Sequence, residues 1–234
     1  MHSKFKKVLI KISGEALKGD NQSLDYEKVD AVANVLVQMS NEGILMGVVI
    51  GGGNIFRGRS SGNMNRTDAD HMGMLATVIN ALAIKDALIR AGGKACVMSA
   101  IDMYQICEPF AQREAIARVD RGEIVIFAAG MGRPYFSTDT TAVLRCMEIE
   151  ADILLCAKNI DGIYSTDPAK DVHAIRYDNL TYDEIISHNL QAIDQAAMAL
   201  CRDYKLPLYV FKLDKPEALI SAVCGECVGT YISE

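Results

Sequence analysis

The sequence predicts an α/β fold: a three-layer αβα sandwich around a mainly parallel central sheet. Short, continuously apolar runs, such as 124 to 128 and 153 to 157, are typical of strands buried on both faces. Segments with helical spacing alternate with these runs along almost the whole chain, as in parallel strands joined by crossover helices. In such sheets ligands bind beyond the carboxyl ends of the strands. The loops after the strands are therefore where a site is expected.

In chain order, each element has its own signal. Strands are predicted at 7–12, 46–50, 95–98, 124–128, 153–157, 207–211 and about 228–232, because these runs are short, apolar and rich in β-branched residues. Helices are predicted at 26–42, 70–90, 111–119, 138–148, 182–188 and 192–203, with a further one begun by Pro216.

N-cap residues, a C-terminal glycine pair and apolar residues at helical spacing support the prediction of the longer helices. Asp25 precedes the first helix and Ser137 the helix at 138, and both are favoured N-cap types. The helix at 70–90 ends at Gly92-Gly93. Its core-facing stripe is predicted from residues at helical spacing. These are Leu75, Val78, Ile79, Leu82 and Ile89.

Composition narrows the class of protein. The 234 residues are 50% hydrophobic and 23% charged, which is typical of a globular protein, and no linker or low-complexity tract divides them. The net charge of −6 argues against a nucleic-acid-binding surface. The cationic N-terminal segment lacks a small-residue cleavage site, and no uninterrupted apolar run approaches the ~20 residues of a membrane span. We therefore expect a cytoplasmic protein with neither nucleic-acid nor membrane partners.

The seven cysteines are expected to be reduced thiols, because they are odd in number and most lie in apolar stretches. Cys224 and Cys227 have the spacing of a metal knuckle or redox pair. A zinc site needs two further ligands, however, and the four histidines are dispersed along the sequence. The structural interpretation of this pair is favoured.

Glycine and positive charge recur at four predicted strand ends: residues 11–15, 51–54, 130–134 and 158–162. Backbone N–H groups in such loops donate to phosphate oxygens, and nearby Lys or Arg side chains neutralise charge. The glycines at 51–53 are followed by Arg57 and Arg59, and Arg66 and Arg133 also lie in or beside glycine-bearing loops. This pattern indicates a site for several phosphates, as phosphoryl transfer requires.

Individual roles stay open at this level. Lys11 could bring a point charge onto phosphates, or it could be an edge-strand lysine that points to solvent. Five aspartates could face a metal-bound group, orient a lysine or accept a hydroxyl. They are Asp70, Asp139, Asp152, Asp167 and Asp194. Neither the Walker A pattern nor GxGxxG is present, so a P-loop kinase and a dinucleotide dehydrogenase are both unsupported.

Longer blocks carry a specific resemblance. They are KISGEAL at 11–17, GVVIGGGNIFRG at 47–58, DHMGMLATVINALA at 70–83, GMGRPYFSTDT at 130–140, EIEADILL at 148–155 and DGIYSTDPAKD at 161–171. In their order and spacing, and on to LPLYVFKLDKPEAL near the end of the chain, they are similar to the bacterial UMP kinases of the amino acid kinase superfamily. DHMGMLAT is the block that separates this family from its neighbours.

The resemblance implies an amino acid kinase (carbamate kinase-like) fold and transfer of the γ-phosphoryl group of ATP to UMP, with Mg²⁺. It implies one domain over 1–234, with an acceptor-binding half at about 1–150 and an ATP-binding half at about 151–234. Three catalytic residues follow by motif: Lys11, Arg57 and Asp139. Asp139 would orient Lys11 and the Mg²⁺-phosphate assembly, while direct metal ligands are unknown.

The resemblance also implies two sets of binding residues. The ATP set is Lys11, Ile12, Ser13, Gly14, Gly53, Arg57, Lys158, Tyr164 and Asp167. The UMP set is Gly52, Asp70, Met131, Gly132, Arg133, Pro134, Tyr135, Phe136, Ser137 and Thr138. In the UMP set, Asp70 would accept hydrogen bonds from the ribose and Gly52 would meet the phosphate.

Family members are commonly hexamers that GTP activates and UTP inhibits, so the resemblance implies a homohexamer and UTP inhibition. The segment Gly19–Asp25 is shorter than the glycine-rich segment found in many members, which leaves GTP activation open. Arg133 replaces a small polar residue, and Lys158 stands where Thr or Asn is usual.

Two other functions fit the same fold. A carboxylate or carbamate kinase, such as an acetylglutamate kinase, would need different acceptor loops. A non-catalytic nucleotide-binding or oxyanion-storage protein would have no use for Lys11, Arg57 and Asp139 together. Both are weaker interpretations than a UMP kinase.

Overall fold

A computed structural model describes residues 3–57, 62–190 and 193–234. Arg59 and the first residue of the helix predicted at 192 lie outside these ranges.

Nine strands form the main sheet, and they confirm the predicted mainly parallel arrangement. In spatial order they are β4 (Glu108–Pro109), β3 (Ala95–Ser99), β5 (Ile124–Ala128), β2 (Leu45–Ile50), β1 (Lys7–Ile12), β6 (Ile153–Lys158), β10 (Leu208–Lys212), β11 (Gly229–Ser233) and β9 (Asn179–Thr181). Every neighbouring pair is parallel except β10 and β11. Two short strands, β7 (Ile163–Tyr164) and β8 (Arg176–Tyr177), pair separately as an antiparallel hairpin.

Helices cover both faces of the sheet, which completes the predicted αβα sandwich. On one face lie α1 (Tyr26–Asn41), α2 (Arg66–Arg90) and α7 (Ala218–Cys224). On the other lie α3 (Gln112–Asp120), α4 (Thr138–Glu148), α5 (Tyr182–Ser187) and α6 (Gln195–Asp203). A short 3₁₀ turn, Gly14–Leu17, follows β1. Side chains of β1 alternate between the two cores: Val8, Ile10 and Ile12 face α1 and α2, and Leu9 faces α4.

Helix α2 begins four residues earlier than predicted. Asn65 caps it by accepting hydrogen bonds from the backbone N–H groups of Thr67 and Asp68, at 2.9 and 3.4 Å. Residues 66 to 69, the first three of them polar, therefore belong to its first turn and not to a loop.

The predicted core stripe of α2 is wrong for most of its members. Leu75, Ile79 and Ile89 are each about half exposed, and only Val78 of that stripe is buried. The buried face instead carries Met74, Thr77, Asn80, Ala81, Ile84 and Leu88. Because α2 is apolar on nearly every side, periodicity alone selects the wrong face.

By length and hydropathy, α2 also passes the test for a membrane-spanning helix. Half of its most apolar window is buried within the fold, where it packs against α1, β3 and β5. Its apolar character is thus explained in large part by its place in the core.

The cysteines lie as predicted. Cys96, Cys107, Cys146, Cys156 and Cys201 are buried free thiols, Cys224 is half-buried and Cys227 is exposed. Within the described ranges, no three His, Cys, Asp or Glu side chains are grouped to hold a metal ion.

Candidate active site

The four glycine-bearing loops predicted from the sequence lie side by side. They follow β5, β2, β1 and β6, which are consecutive in the centre of the sheet, so their carboxyl ends meet at one edge. A cleft of about 450 Å³ opens there. Its walls come from the loops after β2 and β5 and from the first turns of α2 and α4.

A lysine–aspartate–lysine cluster lies at this cleft: Lys11 and Asp139 line it, and Lys158 pairs with Asp139 from outside the lining. Lys11 and Lys158 lie near the ends of the adjacent strands β1 and β6, with their side chains on the α4 side of the sheet. Asp139, in the first turn of α4, places Oδ1 2.9 Å from Lys11 Nζ and Oδ2 3.1 Å from Lys158 Nζ. Lys11 is only 8% exposed and its strand is central, so the interpretation as an edge lysine is wrong.

The charge state of Asp139 follows from its neighbours. Burial by itself would raise the pKa of this carboxyl, but the two lysine ammonium groups outweigh burial and hold the pKa below its ordinary value. Asp139 is therefore ionised at neutral pH. The two lysine ammonium groups and the single Asp139 carboxylate together carry a net positive charge. This charge favours an anionic ligand in the cleft.

Close packing explains the glycines after β1 and β2. The backbones of Gly14 and Gly51 touch, so a Cβ on Gly14 would lie 2.4 Å from the carbonyl oxygen of Gly51. Two buried amides fix this arrangement: Asn54 and Asn80 exchange hydrogen bonds of 2.7 and 3.0 Å, and Asn80 Nδ2 donates to the Gly51 carbonyl at 2.7 Å. The glycine loop is thereby attached to α2.

Gly52 lies directly against α2, and we predict that Gly52→Ala destabilises the protein. Its Cβ would lie 2.8 Å from both the Ala76 Cβ and the Gly73 carbonyl oxygen. Overpacking of this kind costs about 1–3 kcal/mol of the free energy of unfolding, measurable by urea denaturation. Gly73→Ala is the matched control, because among the described residues nothing outside the nearby backbone of α2 lies within 4 Å of its Cβ position, and alanine favours the helix. Equal stability of the two variants would contradict the packing argument.

The loop between β5 and α4 crosses the cleft in an unusual backbone conformation. Ala129, Gly130, Gly132 and Tyr135 all have positive φ, at 61°, 58°, 67° and 74°. Gly132 is required there, since a Cβ would lie 2.5 Å from the Ala100 carbonyl oxygen. The strained start of the loop is held by α2: the Ala129 N–H donates to Thr77 Oγ1 at 2.9 Å.

Asp70 connects α2 to the same loop. Its Oδ2 accepts the Tyr135 N–H at 2.8 Å, and Arg66 Nε, one helical turn earlier, lies 2.8 Å from Oδ2 and 2.9 Å from Oδ1. Partial burial tends to raise the pKa of Asp70, but these two donors outweigh it and lower the pKa. The carboxylate is thus charged and oriented at the side wall of the cleft.

Arg57 also lines the cleft and is paired with Glu15. Its Nη2 and Nε lie 2.8 and 3.2 Å from Glu15 Oε1, and its side chain is 60% exposed. The pair stands above Gly53, whose Cβ position is 3.6 Å from both partners. Arg57 is therefore an exposed, ion-paired side chain at the cleft, in contrast to the buried Lys11.

The N-terminus of α4 is anchored to α6. Ser137 caps α4 by accepting the Thr140 N–H at 3.1 Å. Asp194, the N-cap of α6, accepts hydrogen bonds from the hydroxyls of Ser137 and Thr140. Of the five candidate aspartates, Asp194 is thus one that accepts hydrogen bonds from hydroxyl groups. Asp152 instead accepts the backbone N–H groups of Lys6 and Lys7, at the end of β1 away from the cleft.

The cleft brings together most of the predicted site residues. Its lining includes Lys11, Gly52, Gly53, Arg57, Asp70, Met131, Arg133, Tyr135, Phe136, Ser137, Thr138 and Asp139. Others lie near it without lining it: Ile12, Ser13, Gly14, Gly132, Pro134 and Lys158. The side chain of Ile12 is in the core, so only its backbone can face a ligand.

Tyr164 and Asp167 do not line this cleft. The Tyr164 hydroxyl donates to Asp161 at 2.9 Å, and Asp167 accepts the Ala169 N–H at 3.0 Å in an exposed turn. Both belong to the segment after β6. Their predicted role toward adenosine stays a prediction.

Sequence reasoning missed the side chains that support the loops, above all Thr77 and Asn80. Each is a buried polar residue on an otherwise apolar helix face. A buried polar group is normally hydrogen-bonded, so their presence in α2 was the available signal. Glu15 was part of a recognised block, but nothing in the sequence pairs it with Arg57.

The αβα fold, with a cationic cleft between glycine loops at the carboxyl edge of its sheet, indicates the class of protein to which the chain belongs. The chain belongs to the amino acid kinase family, whose family model matches residues 6–212.

Within that family the chain is similar to uridylate kinases. The chain is 48% identical to the uridylate kinase of Pseudomonas fluorescens and 47% identical to that of Pseudomonas putida, in each case over 99% of this chain and 95% of the relative. Among solved structures, the UMP kinase of Bacillus anthracis matches with a TM-score of 0.94 at 38% identity, covering 98% of this chain and 96% of that one. The uridylate kinase of Archaeoglobus fulgidus matches with a TM-score of 0.73 at 29% identity, covering 97% and 99%.

Proposed function

We infer that this protein transfers the γ-phosphoryl group of ATP to UMP, giving UDP and ADP for pyrimidine nucleotide metabolism. The observation that carries the inference is the Lys11–Asp139–Lys158 cluster beside a cleft walled by glycine loops, with Lys11 and Asp139 in the lining. The high identity to uridylate kinases over the full chain supports UMP as the acceptor.

The reaction needs positive charge more than it needs a base. The attacking atom is a phosphate oxygen of UMP, which is already ionised at neutral pH. Two anions must approach each other, and charge develops on the transferred group. Lys11 and Arg57 are the proposed cations for this task, with Lys11 held in place by Asp139 and Arg57 paired with Glu15.

Mg²⁺ is proposed to enter with ATP. The residues present fit this role, because Asp139 is an ionised carboxylate at the cleft, held between Lys11 and Lys158. Asp139 would face the magnesium–phosphate assembly and orient Lys11 beside it. When bound, Mg²⁺ would supply positive charge that offsets the charge of the phosphates.

The two halves of the chain are proposed to divide the substrates, with residues 1–150 binding the acceptor and 151–234 binding ATP. Every residue that lines the cleft lies between 11 and 141, which supports the first assignment. The ATP contacts proposed for the second half are Lys158, Tyr164 and Asp167. The loops after β1 and β2, in the first half, are proposed to add Ser13, Gly14 and Gly53.

Acceptor choice tests the function directly. We propose an ADP-release assay with UMP, CMP, carbamate and acetylglutamate as acceptors, with and without GTP and UTP. Turnover with UMP far above the others is expected. Turnover with a carboxylate or carbamate would make the protein a different kinase of this fold, and ATP binding without product would support a storage protein. The GTP and UTP arms decide the proposed regulation.

Asp70→Asn is predicted to weaken UMP more than ATP. Asp70 lines the acceptor wall, and an amide would lose the charge and one acceptor that the ribose hydroxyls are proposed to use. Separate titrations should show a KM for UMP raised about tenfold and a KM for ATP nearly unchanged. Equal losses for the two substrates would contradict the assignment.

A homohexamer in the cytoplasm is proposed as the working state. The exposed face of α2 supports self-association, because Met72, Leu75, Ile79 and Ile89 are each 41–52% exposed and apolar on one helix. Light scattering on the purified protein would give its mass in solution.

A further inference from the structure

Arg66 makes contacts to two parts of the acceptor wall at once. Its Nε lies within 2.9 Å of both oxygens of Asp70, and its guanidinium carbon lies 5.5 Å from the centre of the Tyr135 ring. Asp70 in turn accepts the Tyr135 N–H. Arg66, Asp70 and Tyr135 thus form one connected group, which we call the acceptor clamp.

The clamp holds a backbone conformation that a tyrosine rarely adopts. Tyr135 has a φ of 74°, in the left-handed region, and its side chain is largely exposed, so core packing does not impose this conformation. The hydrogen bond to Asp70 and the guanidinium beside the ring are the contacts that secure it.

The clamp also sets the charge and direction of the Asp70 carboxylate. A carboxylate beside a bound nucleotide monophosphate would repel the phosphate unless a cation neutralises it. Arg66 supplies that cation, and a guanidinium nitrogen in contact with both oxygens fixes the rotation of the carboxylate. Oδ2 is used by Tyr135 and Arg66, whereas Oδ1 accepts only from Arg66 among the described residues.

We propose that Arg66 is a positioning residue for the acceptor nucleotide, which directs Asp70 Oδ1 toward the ribose hydroxyls. This proposal rests on the proposed function, because it takes the acceptor to be a ribonucleoside monophosphate. Arg66 also lines the cleft, but its role in this proposal is indirect. It acts through Asp70, and it gives the enzyme part of its preference for ribose over deoxyribose.

The test compares UMP with dUMP in the wild type and in Arg66→Gln. In the variant the KM for UMP should rise about tenfold, while kcat at saturation and the KM for ATP should stay within about twofold. The KM for dUMP should change less than that for UMP, because dUMP lacks the 2′-hydroxyl. The ratio of the two KM values is therefore expected to narrow.

Arg90→Gln is the matched control. Arg90 lies at the other end of α2, donates from Nε to Asp86 at 2.8 Å with the same four-residue spacing, and is remote from the cleft lining. It should leave all KM values unchanged. Arg66→Lys retains the charge but lacks the planar fork, so it should restore the KM for UMP only in part.

Equal rises in the KM values for UMP and dUMP, or no rise in either, would overturn the proposal. Failure of the proposed function would look different, because the wild-type protein itself would then not phosphorylate UMP.

Discussion

Lys11→Ala is expected to lower kcat by about 10²–10³-fold while the protein stays folded. Lys11 is the buried cation at the floor of the cleft, and Asp139 holds its ammonium group at 2.9 Å. Its charge would act mainly as the two phosphates approach, so the loss should appear in kcat at saturating ATP and UMP. Fold retention is expected because Asp139 keeps Lys158 as a partner.

Lys7→Ala provides the control for Lys11. Lys7 lies on the same strand, at the end away from the cleft, and pairs with Asp120 at 2.7 Å. Its removal should leave kcat close to that of the wild type. Near-normal turnover of Lys11→Ala in the ADP-release assay would remove Lys11 from the mechanism.

The second large effect is expected from Asp139→Asn. The substitution leaves two lysine ammonium groups next to each other in a buried site without the carboxylate between them. Breaking a buried ion pair by removing one partner costs about 3–5 kcal/mol of the free energy of unfolding. Activity should also fall, because Lys11 would lose the group that orients it.

The pH dependence gives a further signature of Asp139. Its pKa is lowered in the folded protein, so its contribution to stability is complete above the unfolded pKa of about 3.9 and is lost as the pH falls through the folded value. The difference in unfolding free energy between wild type and Asp139→Asn should be constant from about pH 7 to pH 5 and narrow below about pH 4.

Urea denaturation across this range measures the difference. Asp86→Asn is the control, because Asp86 forms an exposed ion pair with Arg90 that is expected to contribute little. A variant at position 139 as stable as the wild type at neutral pH would contradict the electrostatic argument.

The fold could be predicted well because its strands carry strong local signals. Strand β5 and helix α4 have the predicted bounds, since a five-residue apolar run and a serine cap define them without tertiary information. The two- and three-residue strands β4, β7, β8 and β9 were not predicted. Pairing with neighbours distant in sequence creates them, and their own residues carry no periodic pattern.

The candidate site could be predicted in part. Glycines and cations at strand ends indicated its place, and the family blocks named the residues that line it. The partners of those residues could not be predicted: Asp194 reaches Ser137 across 57 positions, and Asn80 reaches Asn54 across 26. Such pairs depend on how α2, α4 and α6 pack, which no local pattern encodes.

The two outermost strands of the sheet have a consequence for the protein's behaviour at high concentration. β4 has two residues, one of them Pro109, and β9 has three. Edges this short present few unpaired N–H and C=O groups, and proline has no N–H at all, so a strand from another molecule finds little to pair with. Growth of intermolecular β-sheet on β4 or β9 is therefore disfavoured.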